Sequence, residues 1–210
     1  MTDAVPNATQ VSSSTEARWL DALQRLASRA AHELRGALNG VSINVEVIRS
    51  RAAKTTASAA ALEPFADAAS AQLDDVIELT EALLGLTRAA REPVEIATET
   101  KRIVTLLSAA ARADSRRLTI DDVPALNGIG TTSAAASALR FVVCECMLAA
   151  VEASAKTRCM AISGAALPTL RIDALDGEAI PLPGDLVAMA AESGIDIQVE
   201  PSAISISFPR

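Results

Sequence analysis

Aromatic residues are scarce in this chain of 210 residues. They make up 2% of it, tyrosine is absent, and tryptophan and histidine occur once each. Half of the residues are nevertheless apolar, and alanine and leucine dominate, which is typical of closely packed helices. The length is sufficient for one large domain or two small ones, each with its own core.

Cysteines are also few, at positions 144, 146 and 159. An odd and sparse set argues against a disulfide framework and indicates a reducing compartment. Cys144 and Cys146 have neither a second cysteine pair nor a second histidine to complete a metal site. We therefore predict buried thiols and no bound metal.

Positive charge and long apolar runs are lacking too. The net charge of −7 disfavours a nucleic-acid partner in the absence of a strong basic patch, and the densest basic stretch, 112–117, is short and contains Asp114.

The first residues carry no basic segment followed by an apolar one, so no signal peptide is predicted. The most apolar segment, 134–151, is interrupted by Arg140 and Glu145, which indicates a buried helix. We expect a cytoplasmic protein that does not contact a membrane.

The N-terminal part of the chain is predicted to form long helices. Residues 1–13 are rich in polar and turn-forming residues and are predicted to be a disordered lead-in, and Thr15 followed by Glu16 is a plausible helix start. From there to about Arg51 no proline occurs, and apolar residues recur in steps of three and four, the pattern of lengthwise helix packing. The predicted seam consists of Leu20, Leu23, Ala27, Ala30, Leu34, Ala37, Val41 and Ile48.

A second heptad helix is predicted over 62–90, with Pro64 in its first turn. Two long helices joined by a short turn (55–61) form an antiparallel hairpin. A single hairpin has a narrow core, so we expect two copies to pair as a dimeric four-helix bundle spanning residues 14–92.

Residues 93–210 change character and are predicted to form a mixed α/β domain. Strand and helix patterns alternate along this part of the chain. The predicted helices are 97–113, 133–155 and 185–193, and the predicted strands are 117–121, 159–163, 169–174, 195–200 and 203–208.

The single histidine lies in the first helix. If Ala27, Ala30 and Leu34 take the core positions of the heptad, His32 falls at the solvent-facing f position. Exposure permits in-line attack on a phosphoryl group, and neutral imidazole leaves one nitrogen free as a nucleophile. Glu33 can orient or deprotonate the ring, and Arg35 can neutralise phosphate charge.

The string from Ala31 to Asn39, with its His-Glu-Leu-Arg core, resembles the phosphoacceptor box of sensor histidine kinases. The resemblance implies that His32 accepts a phosphoryl group. Small or polar neighbours would leave a low docking surface for a partner: Ala31, Gly36, Asn39 and Gly40. In many members of the family a threonine or asparagine, which positions water for partner dephosphorylation, stands where this chain has Gly36, so strong phosphatase activity is not expected.

The second domain resembles the ATP-binding domain of the same family, with its ligands missing. The segment 139–154 is similar to the helix that carries the family's two asparagines, but Glu145 and Ala149 stand in their places. The second of those asparagines binds Mg²⁺ in the family. Asp173 and Asp176 lie where the family has its adenine-reading motif, without the paired glycines, and Asp176–Gly177 is typical of a hairpin turn. A glycine-rich ATP lid is missing as well.

A phosphoacceptor histidine beside a degenerate ATPase-like α/β sandwich resembles the dimeric histidine phosphotransferases of bacterial phosphorelays. The resemblance implies that His32 relays phosphate between receiver-domain aspartates, from the receiver of a hybrid kinase to a response regulator. It also implies that the receiver supplies Mg²⁺ and that ATP does not bind.

Two alternatives remain. The chain is a non-catalytic dimeric pseudokinase scaffold that binds a response regulator or another partner, with His32 incidental, or it is a kinase with residual nucleotide binding. The losses at Ala149 and in the lid disfavour the latter.

Overall fold

A computed structural model of the chain describes residues 8–53, 58–90 and 93–210. The first helix, α1, spans Ala8–Ala52. It begins two turns before the predicted start at Thr15, so the part of the predicted lead-in from residue 8 to residue 13 is helical. Pro6 is the nearest helix-breaking residue upstream, and none follows it within α1. The predicted disorder of residues 1–7 lies outside the described residues.

The second helix, α2, spans Ala59–Thr87 and packs antiparallel on α1. It begins before Leu62 and ends before Ala90, so the predicted bounds are shifted toward the N-terminus. Pro64 therefore lies in the second turn and not in the first as predicted. Its exposed position on the outer side of the hairpin leaves the freed carbonyl of the preceding turn accessible to water.

The α1–α2 contact contains a polar layer. The side-chain amide of Asn44 donates to Oε1 of Gln72 at 3.1 Å. Gly40 lies beside the same Gln72, and a Cβ at this position would collide with its amide group. The missing side chain of Gly40 thus leaves the space that the Gln72 amide group occupies.

The N-terminal half of α1 packs on the second domain as well as on α2. Its buried side chains are Trp19, Ala22, Leu26 and Ala30, whereas Leu20, a predicted seam residue, is 56% exposed. Helices α3 (Ile96–Ala113) and α5 (Ala136–Ala153) both contact this part of α1. They lie on the side that buries Trp19, and Leu20 projects about 100° away from Trp19.

The second domain is a five-stranded sheet with helices on one face. Strand order is β2-β4-β5-β7-β6, with β2 parallel to β4 and the other pairs antiparallel. The prediction of a mixed α/β domain is confirmed. Its strands are β1 (Val94–Glu95), β2 (Arg117–Ile120), β3 (Thr131–Thr132), β4 (Lys156–Ala161), β5 (Thr169–Ala174), β6 (Asp196–Glu200) and β7 (Ala203–Ser207), and its remaining helices are α4 (Val123–Asn127) and α6 (Leu186–Glu192).

The two faces of the sheet differ in polarity because strand side chains alternate. One face is apolar and packs on α3 and α5, with Cys159, Ile172 and Ile204 aligned across three strands and fully buried. The other face is polar. The domain is therefore a two-layer α/β sandwich whose core lies between the helices and one side of the sheet.

A buried arginine of the second domain forms an ion pair within that domain and a hydrogen bond to the end of the hairpin. Nε of Arg140 on α5 donates to Glu99 on α3 at 2.7 Å, and its Nη1 donates to the backbone carbonyl of Arg88, just after α2, at 3.1 Å. Arg140 and Glu99 are both buried. Arg140, which interrupts the apolar segment of the sequence, thus has one partner on α3 and another at the end of α2.

Candidate functional site

The site is centred on His32, which lies on the exposed surface of α1. Within the described ranges 8–53, 58–90 and 93–210, no hydrogen bond or ion pair engages its ring. The helix continues for five turns beyond it to Ala52, so the backbone of His32 is held by a complete set of helical hydrogen bonds. A fixed backbone with a free, solvated ring leaves either imidazole nitrogen open to an incoming group.

The two predicted helpers of His32 are nearby but do not touch it. Glu33 is half-buried and Arg35 is exposed, and in the part of the chain that the structure describes neither side chain makes a hydrogen bond or an ion pair. Consecutive helical residues point about 100° apart, which turns Glu33 away from the ring. Arg35, three residues on, projects about 60° from His32. The structure leaves its guanidinium available to an anion that reaches the histidine.

The predicted docking residues divide into two groups. Gly36 and Asn39 lie within about 40° of His32 on the helix surface, and both are exposed, with open space around Gly36. Ile43, which the sequence analysis missed, falls about 20° from His32 and is 64% exposed. Its position eleven residues after the histidine, which is close to three helical turns, indicates from the sequence that the two residues share one face.

Gly40 and Ala31 differ from that group. Gly40 is half-buried and packs against the side chain of Gln72 on α2, and its place in the docking surface stays a prediction. Ala31 is exposed but projects about 100° from His32, toward the side of α1 that carries Leu38.

The face of α1 that carries His32 also contacts the second domain. Three arginines on it form ion pairs across the two domains. Arg18 contacts Asp185 at 2.6 Å, Arg29 contacts Glu152 at 3.1 Å, and Arg25 contacts Glu145. Arg25 and Arg29 project within about 60° of His32, two turns and one turn before it. The α/β domain therefore lies directly beside the histidine on its N-terminal side.

Glu145 and Ala149 lie on α5 at this contact. They line a hollow of about 420 Å³ together with Arg25, Glu152 and the loop around Pro181–Pro183. The Glu145 side chain is 10% exposed and pairs with Arg25. The charge of Glu145 is evident from the sequence, but its partner Arg25 is not, because 120 residues separate the two in the chain.

Asp173 lies on the polar face of the sheet, opposite the face on which α5 packs. Its carboxylate accepts from Arg158 at 2.9 Å and from Arg171 at 2.8 Å, and Arg171 also pairs with Glu200 at 2.8 Å. The hydrogen bond with Arg171 lowers the pKa of Glu200. These contacts form a row of alternating charges across neighbouring strands, which stabilises the solvated side of the sheet.

Asp176 lies in the turn after β5. Its carboxylate accepts from the Ser154 hydroxyl and from the backbone N–H of Ala155 at 2.8 Å. These two bonds hold the pKa of Asp176 below its ordinary value. The predicted hairpin at Asp176–Gly177 is wrong. The chain continues into α6, and the hairpin of this region is formed by β6 and β7.

The three cysteines lie in the core of the α/β domain. Burial raises the pKa of Cys159 to about 12 and also raises the pKa of Cys144 and Cys146, so all three are neutral thiols. In the described ranges no group of three or more histidine, cysteine or acidic side chains is arranged to hold a metal ion. Among the same residues, no helix combines the length and the apolar character that crossing a membrane requires.

Comparison with known proteins finds a likeness among solved structures only. No protein-family model matches the chain, and no curated protein does. Among solved structures, the chain is similar to the Acinetobacter baumannii histidine kinase AdeS, with 13% sequence identity and a TM-score of 0.43 over 85% of this chain and 97% of that one.

Proposed function

We propose that this chain is a histidine phosphotransfer protein of a two-component phosphorelay, in which His32 relays a phosphoryl group between receiver-domain aspartates. The observation that carries the proposal is the free, exposed ring of His32 on a continuous helix. A relay histidine must accept a phosphoryl group from one large partner and pass it to another, so it needs an open approach.

The chemistry requires little from the chain itself. A neutral His32 nitrogen attacks phosphorus of an aspartyl phosphate, the P–N bond forms, and the P–O bond to the aspartate breaks, releasing its carboxylate. The reverse reaction with a second receiver regenerates the histidine. Arg35 has no partner in the described structure and is positioned to offset the charge of the bound phosphoryl group. In this proposal the receiver supplies Mg²⁺.

An external phosphoryl donor is part of the proposal. The methyl group of Ala149 provides no oxygen ligand for a nucleotide-bound Mg²⁺, and the carboxylate of Glu145 adds negative charge that would repel nucleotide phosphates at this place on α5. The Arg25 side chain also covers Glu145. Both features favour transfer from a receiver over transfer from a nucleotide bound by the chain itself.

We also propose that two copies pair through the hairpin. Several large apolar side chains of the hairpin are exposed, and on each helix they recur at a spacing that places them on one face. They are Leu38 and Val45 on α1 and Leu73, Ile77 and Leu84 on α2. A second copy would bury the same stripe on each protomer, as a two-fold interface requires, and would complete the four-helix bundle.

The test of the relay is a transfer assay. Receiver domains from the organism that encodes this chain are charged with radiolabelled acetyl phosphate, freed of excess reagent and mixed with the full chain. We expect acid-labile label on the wild type and none on His32→Ala. Ser28→Ala, an exposed change one turn away, is the matched control and should accept label like the wild type. Label that persists on His32→Ala would refute the assignment.

The alternative function is a non-catalytic scaffold that binds a receiver or another partner. It is favoured by one observation: no hydrogen bond from Glu33 or any other described side chain activates or orients the His32 ring. In the same assay, stable receiver binding without phosphate ever appearing on the chain would support the scaffold. Magnesium-dependent ATP binding by calorimetry would instead support a residual kinase.

A further inference from the structure

Three cations, unpaired among the described residues, line a hollow on the α/β domain that the transfer chemistry does not use. Arg112, Arg117 and Lys156, which we call the basic shelf, line a hollow of about 650 Å³ together with Ser108, Ser115 and Thr119. All three cations are exposed. Within the described part of the chain, none of the three makes an ion pair or a side-chain hydrogen bond. Their full charge is therefore directed at solvent.

The shelf is unusual for this molecule, whose net charge is −7. Most other described arginines are engaged. Arg116, between two members of the shelf, donates to the backbone carbonyls of Val151 and Glu152 at the end of α5, the latter at 2.7 Å. Asp114 is an exposed acid in the same turn, and Asp75 and Glu78 of α2 line the adjoining hollow that Arg112 also borders. In the described structure none of these three acids pairs with a cation of the shelf, which leaves the three cations open to an external anion.

The shelf lies at the end of the α/β domain that faces the His32 region. Strands β2 and β4 are parallel and start as a pair, with Arg117 opposite Lys156. Helices α3 and α5, which lead into them, therefore end at the same edge. In the last turn of α5, Glu152 pairs with Arg29, which precedes His32 by one turn. The last turn of α5 thus separates the shelf on one side from the histidine face on the other.

We propose that the basic shelf is a second docking element, which attracts an acidic surface of the receiver domain engaged at His32. This inference rests on the proposed relay function. Cations beyond the reacting centre accelerate encounter without altering the chemical step. The occupant is thus a protein surface rich in carboxylates, placed beside the receiver's phosphorylation site.

The experiment compares two double charge reversals in the full chain. Arg112→Glu with Lys156→Glu removes the shelf, and Arg49→Glu with Arg88→Glu makes the same change in net charge at exposed positions elsewhere. Arg116 is left intact because it caps α5. Stopped-flow fluorescence measures association with a labelled receiver at several salt concentrations, and phosphoryl transfer is measured separately at saturating receiver. Circular dichroism checks that both variants fold.

The shelf variant should associate about tenfold more slowly than the wild type at low salt. The difference should shrink toward 1 M salt, where the screening length is about 3 Å. The control should stay within about twofold of the wild type, and transfer at saturating receiver should be unchanged in both. Equal association rates for the two double variants would overturn the shelf while leaving the relay intact.

Two further arms separate the remaining outcomes. Shelf-dependent receiver binding without phosphate on His32 would overturn the relay and keep the shelf as a docking element. Inorganic triphosphate that binds the wild type, but not the shelf variant, while receiver association is equal in both, would make the hollow a small-anion site and overturn the proposal. If no receiver of the panel binds the wild type, the relay and the shelf are both overturned.

Discussion

Asp176 ties the turn after β5 to the end of α5. Asp176 is exposed, and its carboxylate accepts hydrogen bonds from the Ser154 hydroxyl and the Ala155 backbone N–H. The Ser154 hydroxyl also donates to the Lys156 carbonyl at 2.7 Å. The side chains of Asp176 and Ser154 together satisfy backbone groups left over where a helix ends and a strand begins.

This arrangement predicts an acid-sensitive contribution to stability. The pKa of Asp176 is lower in the folded chain than its ordinary value, which is about 3.9 in unfolded peptides. The contribution is therefore complete above that value and is lost as the pH falls through the folded pKa. Denaturant unfolding should show Asp176→Asn to be less stable than the wild type at pH 7, with the difference smaller at pH 3.

Asp114→Asn is the matched control for Asp176. Asp114 is exposed, and in the described part of the chain its side chain has no partner, so the substitution should leave stability unchanged at both pH values. A difference between Asp176→Asn and the wild type that is the same at pH 3 as at pH 7 would contradict the assignment of the carboxylate.

At the scale of single residues, the sequence predicts exposure better than it predicts partners. The heptad phase placed His32 on the solvent side, where the structure has it. The partners of Asp173 and Glu145 were not predictable, since they depend on strand register and on how two domains meet. The contact between Gly40 and Gln72 was not predictable either, because a glycine on a helix indicates close approach without indicating from which side.

At the scale of elements, helix α1 has two different neighbours along its length. Toward its C-terminus it packs on α2, whereas Trp19, Ala22 and Leu26 are buried where α3 and α5 also pack on it. The cross-domain ion pairs follow the same N-terminal stretch. One helix thus belongs to the hairpin and to the interface between the domains.

A double-mutant cycle tests the central pair of that interface. The side chain of Glu145 is 10% exposed and that of Arg25 is 53% exposed, so the pair is screened on one side only. Arg25→Glu places two carboxylates together and should lower the free energy of unfolding, and Arg25→Glu with Glu145→Arg should restore part of it. We expect a coupling free energy of about 1–2 kcal/mol, measured by urea unfolding.

The Glu46–Arg49 pair on the same helix provides the comparison. Both of its side chains are more than half exposed, and the charges are 3.4 Å apart, so swapping them should give a coupling free energy below about 0.5 kcal/mol. A coupling no larger than this for Arg25 and Glu145 would show that the pair contributes nothing specific to the interface.

Periodicity predicted most of the elements, and the reasons for the exceptions are physical. The long helices and the strand Thr169–Ala174 follow their hydrophobic patterns closely. Strands β1 and β3, of two residues each, and the five-residue helix α4 are too short to show a period. Helix ends shifted by a few residues because end positions depend on local capping and packing more than on pattern.

At the scale of the whole molecule, the exposed apolar stripe on the hairpin determines the expected assembly. Leu38→Glu with Leu73→Glu introduces charges into the proposed interface between copies. We expect the dissociation constant of the dimer to rise at least about 100-fold, which corresponds to roughly 2.7 kcal/mol, because buried carboxylates lack partners there. Light scattering coupled to size-exclusion chromatography measures the change in mass.

Val199→Glu is the control for that substitution. Val199 is a large apolar residue that is about as exposed as Leu73 but lies on β6 of the α/β domain. It should leave the oligomeric state unchanged. A wild-type chain that is monomeric at micromolar concentration would refute the dimer directly.

The overall architecture was largely predictable, since a heptad hairpin followed by alternating strand and helix patterns leaves few arrangements. The contact between the two parts was not. It depends on Arg18, Arg25 and Arg29, which look like ordinary surface cations in the sequence, and on acids more than 100 residues away. Long-range charge pairing has no local signature.

The burial of Trp19 has a practical consequence. It is the only tryptophan, and there is no tyrosine, so nearly all ultraviolet emission from the native chain originates at one indole. That indole lies in the buried cluster shared by α1 and the α/β domain. Its emission wavelength therefore reports, without any label, whether the two halves of the molecule stay together. A solvatochromic probe of domain separation is already present in the natural sequence.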